Sequence, residues 1–345
     1  MANFAPADDH HAGSRHESPD ERALLAARDA AVVCDLTPLS VLALAGADAA
    51  AFLQGQLSCD VTAITPGTCR FGSFNSPKGR MLANFVLWRD AALGDGFAML
   101  LPGDICESVA KRLRMYVLRS KVTVTDVSAA TQRMGVGGPS AAAALRAAVG
   151  AVPGRLEVQQ ADSATVLGLP GPRYVLLAPA PQAPSLRARL GTQATPAGFD
   201  VWRWLTIHAG VPVITAATQD AFVAQAANWD VLGGIDFQKG CYTGQEIIAR
   251  TQYLGRLKER TLAFHADTRD VSPGDRIFSS AFEGQPCGTV VNAAPSPGGG
   301  CDLLAVLQSA AAERGDARLR ASDGPQLVAL PLPYAIPAAK APRGT

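Results

Sequence analysis

The amino-acid sequence predicts an α+β chain in which two α+β units are followed by a small all-β barrel. Three observations carry this. The chain has 345 residues, more than one core usually supports, so two or three packed domains are expected. A strand, helix, strand order recurs: GFAMLLPGDICESVAKRLRMYVLRSKVTVTDV is followed by QRMGVGGPSAAAALRAAVG and RYVLLAPAPQAPSLRARL. After Arg260 the text changes to short apolar runs broken by Pro-Gly, Glu-Gly and Gly-Gly-Gly, the punctuation of short strands.

The elements follow in order. Residues 1–19 carry charges and three histidines without periodicity and read as a disordered leader; His10, His11 and His16 are able to bind a metal, but the leader reading is preferred and no metal is expected. From Ser40, VLALAGADAAAFLQGQL reads as a strand, a Gly-Ala-Asp turn and a helix carrying Phe52, Leu53 and Leu57. CRFGSFNSPKGRMLANFVLWRD reads as a hairpin turning at Ser76-Pro77-Lys78-Gly79. A helix begins near Asp104, and another, FDVWRWLTIHAG, precedes the least generic part of the chain. The units run over roughly 20–130 and 131–255, the barrel over 256–336 and a frayed tail over 337–345.

Composition excludes several functions. With 48% hydrophobic and 18% charged residues and a net charge of +1, the chain has no electrostatic case for stable nucleic-acid or membrane attachment. No window approaches 18 uninterrupted apolar residues and the N-terminal text lacks the apolar core of a signal peptide, so the cytoplasm is expected. Seven cysteines, an odd number without a C-x-x-C pair, argue against a disulfide framework or zinc knuckle. Six sit in apolar text; Cys241 does not.

Gly135-Val136-Gly137-Gly138 lacks the spacing of a phosphate loop and reads as a tight strand-to-helix turn. The stretch 236–250, DFQKGCYTGQEIIAR, is richer in chemistry. Gly240 and Gly244 open backbone conformations closed to other residues, which would hold Cys241, Tyr242 and Thr243 on a tight loop. Gln245 and Glu246 then open a helix, and a thiol between Lys239 and that helix end would have its thiolate stabilised. The alternative is a glycine-bounded loop whose cysteine only packs.

KGCYTGQE at 239–246 resembles the signature of the YgfZ family of folate-binding proteins, within the aminomethyltransferase (glycine-cleavage T-protein) superfamily. AGVPVI at 209–214, the Phe-Val-x-Gln-x-x-Asn run at 222–228, LGGIDF at 232–237, FNSPKGRMLANF at 74–85 and PLPY at 331–334 agree, so the resemblance covers residues 40–336. It implies a ring of two α+β units and a C-terminal small β-barrel around a cavity for tetrahydrofolate or a derivative. It also implies Trp202, Asn84, His208 and Arg250 as folate-binding positions and Cys241 as the functional thiol. Trp202 reads equally as a core residue, and Leu39 stands where the family has a second tryptophan. Ala83-Asn84 replaces the acidic pair of true aminomethyltransferases, and an amide cannot take part in acid–base catalysis as a carboxylate does. His208 replaces a glutamate that holds the pterin.

The expected function is that of a folate-dependent accessory protein for assembly or repair of iron–sulfur clusters, touching an iron–sulfur species transiently and supporting partners such as the enzymes that thiomethylate tRNA. A folate-dependent one-carbon transferase is the alternative. An RNA-binding module is disfavoured by the near-neutral charge.

Overall fold

The computed structural model describes residues 19–161, 164–253 and 257–337. The expected leader lies outside these residues except for Pro19, and the tail lies outside them except for residue 337. The chain opens with α1 (Pro19–Asp29) and β1 (Val32–Asp35). Next come β2 (Leu39–Ala45), α2 (Ala49–Gln56), β3 (Cys69–Asn75), β4 (Met81–Arg89), β5 (Phe97–Pro102), α3 (Gly103–Val117) and β6 (Thr123–Asp126). The second unit contains β7 (Thr131–Gly137), α4 (Ala141–Val149), β8 (Val158–Ala161), β9 (Ala164–Leu169), β10 (Arg173–Pro179), α5 (Ala183–Gly191), β11 (Thr195–Ala197) and α6 (Phe199–His208). A long, largely irregular segment leads to α7 (Gln245–Tyr253). The chain ends with β12 (Glu259–Ala266), β13 (Arg276–Phe278), β14 (Pro286–Pro295), β15 (Cys301–Gln308), α8 (Ser309–Arg314), β16 (Arg318–Leu319) and β17 (Leu327–Leu330).

These strands form three sheets, ordered β3-β4-β5-β2-β6, β11-β1-β7-β10-β9-β8 and β16-β13-β14-β15-β12-β17. The last is curled into a half-barrel, so the α+β architecture with a C-terminal β unit is observed. One strand departs from sequence order. β1 lies in the second sheet, antiparallel to β7 and parallel to β11, so the chain lays down part of that sheet before building the first.

The text of the inner strands β4, β5 and β10 is almost continuously apolar because both of their faces are covered, whereas the edge strands β6, β8 and β11 are less apolar and partly exposed. In β4, Val86 and Trp88 face a central core shared by all three sheets, whereas Phe85 and Leu87 face the layer under α2 and α3. In β10, Val175 and Leu177 face the centre, and Leu176 and Ala178 face α4 and α5. Helix α6 enters the centre against β7. A Cβ on Gly135 would lie 2.5 Å from the Trp202 ring, and one on Gly137 would lie 2.4 Å from Leu205. Two glycines of the Gly-rich segment therefore belong to the strand and make room for the helix, and only Gly138, at φ +104, makes the turn.

Gly135→Ala is therefore expected to lower stability by about 1–3 kcal/mol through overpacking against Trp202. Gly191→Ala, at the end of α5 with nothing within 4 Å of its added carbon, should raise it by up to about 1 kcal/mol. Urea unfolding of the two variants beside wild type measures both; a destabilisation by Gly191→Ala as large as that by Gly135→Ala would refute the slot.

Candidate functional site

A cavity of ≈ 540 Å³ lies where the three sheets meet, lined by residues of each, among them Asn84 from the first, Arg173 from the second and Asn292 from the half-barrel. Its walls are mainly apolar. Trp202 of α6 lines it as the sequence indicates, and so does Leu39. A second aromatic surface comes from Trp229 and Phe71, with ring centroids 5.1 Å apart. Sequence reasoning missed this pair, although Trp229 directly follows the 222–228 run.

Two polar groups of the cavity behave differently. Asn84 is committed to the backbone: its Nδ2 donates to the carbonyl of Pro212 at 2.6 Å, and its Oδ1 accepts from the amide of Ile214 at 2.8 Å. It pins the AGVPVI segment along the cavity wall. Arg173 is 2% exposed, with Nη1 donating to Thr206 Oγ1 at 2.7 Å and Nε donating to the Pro170 carbonyl at 3.0 Å. Its Nη2 has no partner, and no carboxylate among the described residues pairs with it. Burial pulls its pKa down to about 9, and its guanidinium carbon lies 5.4 Å from the centroid of the Trp202 ring. A lone arginine opening the apolar text RYVLLAP was the available signal.

The opposite face of α6 meets the half-barrel. Asp302, 4% exposed, accepts from Trp204 Nε1 at 2.8 Å, His208 Nε2 at 2.8 Å, Ser296 Oγ at 2.9 Å and His265 Nδ1 at 2.7 Å. Burial opposes ionisation of this carboxyl, but the four donors outweigh it and hold the pKa at about 2. His208 is therefore placed differently from the sequence expectation. It packs on the Trp204 ring and binds Asp302, and it does not line the cavity. Arg250, exposed on α7, is also absent from the lining.

The 236–250 stretch forms a separate site. Asp236 Oδ1 accepts the amides of Gln238 and Lys239, while the Asp236 amide donates to the Ser58 carbonyl at 2.9 Å. Lys239 Nζ donates to the carbonyls of Leu57 and Cys59, both at 2.7 Å, and lies over the Tyr242 ring. Its charge thus closes the end of α2 instead of serving Cys241, and burial lowers its pKa. Tyr242 is buried beneath the loop. Gly244, at φ +81, approaches the Ser76-to-Gly79 turn so closely that a Cβ would lie 2.5 Å from the Ser76 carbonyl oxygen. Gly240 departs from expectation: its φ is not positive and an added Cβ would meet nothing. Gln245 and Glu246 open α7, with the Gln245 amide donating to the Tyr242 carbonyl at 3.1 Å.

Cys241 is exposed, and the other six cysteines are buried. Burial pushes those thiols up, to about 12 for Cys34 and Cys69 and about 11 for Cys59 and Cys106. Cys287 and Cys301 shift the same way for the same reason.

Comparison with known proteins places this geometry. Residues 5–170 match the GCVT N-terminal domain. The tRNA-modifying protein YgfZ of Cronobacter sakazakii is 32% identical over 326 residues, covering 92% of this chain and 97% of that protein. The chain belongs to the YgfZ family. The tRNA-modifying protein YgfZ of Sodalis glossinidius is 33% identical over 302 residues, 86% of this chain and 91% of its own length. Among solved structures, glycine cleavage system aminomethyltransferase T from Bartonella henselae superposes with a TM-score of 0.66 at 18% identity, covering 91% of this chain and 89% of that one, which establishes the shared fold. No helix among the described residues is long and apolar enough to cross a membrane.

Two outcomes follow. Competition labelling with iodoacetamide near pH 7, read by mass spectrometry, should modify Cys241 in native protein well before the other six thiols; labelling of Cys34 or Cys106 at the same rate would contradict the burial pattern. Because the Asp302 carboxyl sits at about 2 in the folded chain, its stabilising contribution is present above pH 4 and lost as pH falls from about 4 towards 2. Asp302→Asn should cost about 2 kcal/mol at pH 7 and flatten the acid limb of stability, measured by urea unfolding at pH 7 and pH 3.5.

Proposed function

We propose that the chain is a tetrahydrofolate-binding accessory protein that supports iron–sulfur enzymes, among them those that thiomethylate tRNA, and that it does not turn over an aminomethyl substrate. The observation that carries the reading is the cavity: ≈ 540 Å³, with Trp202, Trp229 and Phe71 on its walls and a buried Arg173 that lacks one partner. This size and lining suit a planar bicyclic ring with an oxygen acceptor, since ligand pockets combine apolar walls with a few placed polar groups. Trp202 would stack on the reduced pterin, and Arg173 Nη2 would find the acceptor it lacks. The YgfZ relatives, named as tRNA-modifying, support the link to tRNA.

The same residues disfavour transferase chemistry. With Ala83 beside it, Asn84 offers no carboxylate, and both ends of its amide are spent on Pro212 and Ile214. No side chain at this position can pass a proton to or from bound folate. Cys241 is an exposed soft ligand, but no group of three or more His, Cys, Asp or Glu able to hold a metal exists among the described residues. A lone thiol would therefore touch a cluster held by another protein and would not house one.

Trp202→Ala should weaken tetrahydrofolate binding by about 1–3 kcal/mol, as seen by calorimetry, through loss of the ring contact and of buried area. Bulk tRNA at moderate salt should not bind stably. Cys241→Ser should retain folate affinity and melting temperature yet fail to restore iron–sulfur enzyme activity and tRNA thiomethylation in a deletion strain. Release of ammonia from an aminomethylated lipoyl carrier at about 1 per second or faster would replace this reading with that of a transferase.

A further inference from the structure

The C-terminal half of α3 and the turn after it carry an apolar, basic face that the other described residues leave exposed. Met115 is 67% exposed, Tyr116 40% and Leu118 87%; only Tyr253 and Val328 join them as exposed large apolar side chains among the described residues. Leu118 caps α3 at φ 44 and ψ −102, a positive-φ conformation that leucine adopts at a conformational cost. Between residues 108 and 125 the chain has Lys111, Arg112, Arg114, Arg119 and Lys121 and no acid. Arg114 is spent on the Val124 carbonyl, at 3.0 and 2.8 Å. The side chains of Lys111, Arg112, Arg119 and Lys121 have no hydrogen-bond or ion-pair partner among the described residues.

Beside this face lies a hollow of ≈ 260 Å³, with Phe74, Leu82 and Met115 among its apolar walls and Lys111 and Arg112 at its edge. Glu107, one turn earlier on α3, and Asp220, which accepts from Ser76 Oγ at 2.8 Å, are the acids adjoining the lining residues. We propose that this face docks a segment of a partner protein in which an apolar side chain, flanked by Asp or Glu, enters the hollow. The apolar walls take the side chain, and the cations that make no ion pair among the described residues take the carboxylates. Nucleic acid is the poorer occupant: the one aromatic ring of the face, Tyr116, is already engaged edge-on with Phe74, and exposed Met115 and Leu118 would gain little from a sugar–phosphate chain.

The placement gives the surface a use. The Tyr116 ring meets Phe74 edge-on at 6.5 Å, Phe74 bridges Leu57, and the Leu57 carbonyl binds Lys239 of the KGCYTGQE loop. A segment seated on α3 would therefore lie on the same end of the first sheet as the exposed thiol. The inference stands on this surface alone and does not depend on folate being the cavity ligand.

The test places a photoreactive benzophenone residue at position 115, and separately at 118, in the full chain expressed in cells lacking the wild-type gene, with position 328 as an exposed control. Irradiation should yield adducts at 115 and 118 to a protein peptide with an apolar residue flanked by acids, mapped by mass spectrometry. Lys111→Glu combined with Arg112→Glu should cut those adducts at least about tenfold while leaving melting temperature and tetrahydrofolate affinity unchanged. Adducts to RNA or to a second copy of the chain, adducts indifferent to charge reversal, or yields no higher than at position 328 would each overturn the proposal. Loss of folate binding in every form of the chain would instead count against the reading of the cavity.

Discussion

Helix α6 can lie at the junction of three sheets only because β7 lacks side chains at two positions. With Gly135 and Gly137 empty, Trp202 and Leu205 sink into the second sheet, and the helix then has two further faces to use. One meets the cavity. The other sends Trp204 and His208 to Asp302 of the half-barrel, where one carboxylate collects four donors. The shape of the cavity wall, the docking of the C-terminal unit and the burial of a charged group all rest on that slot. An ionised carboxylate with four donors is a demanding junction, because removing it would leave the buried Trp204 Nε1 and Ser296 Oγ without partners.

Much of this was legible in the sequence, and the limits have physical causes. The hairpin at 76–79, helix α3 and helix α6 are local structures set by periodicity and turn chemistry, and the sequence indicates each. Pairing of β1 with β7 and β11 is non-local and leaves no trace in periodicity. Within the site, Trp202 was named because the resemblance implies it, and the structure places it on the cavity wall. The roles of Asn84, Lys239 and Gly240 were not. Each lies in a recognisable motif, yet a motif names residue types and not the partners that consume their hydrogen-bonding capacity. Asn84 holds a backbone segment, Lys239 closes the end of α2, and Gly240 has room for a side chain. Arg173 and Asp302 escaped for the opposite reason: they are single polar residues in apolar strands, and only the assembled structure shows what surrounds them.

The cavity and the thiol do not share lining residues, so any communication between them passes through shared scaffolding. The segment between α6 and α7 is that scaffold. It is fastened to the first sheet by Asn84 at its start and by Ser58, whose hydroxyl donates to the Gly234 carbonyl at 2.5 Å, near its end. Pro212 and Trp229 of this segment line the cavity, and Lys239 and Cys241 end it. A ligand that tightened the first part would restrain the loop through continuous chain and a common sheet.

The close approach of Gly244 to the hairpin turn also bears on how the chain reaches its working state. The hairpin closes over a few residues and can form early, whereas its glycine partner is contributed from the far side of the second unit, after most of the chain has been made. The loop that carries Cys241 therefore gains its seat only when long-range closure is complete. A nascent or partly misassembled chain would carry the cysteine without the surroundings that present it, so exposure of a correctly mounted thiol also reports that folding has finished.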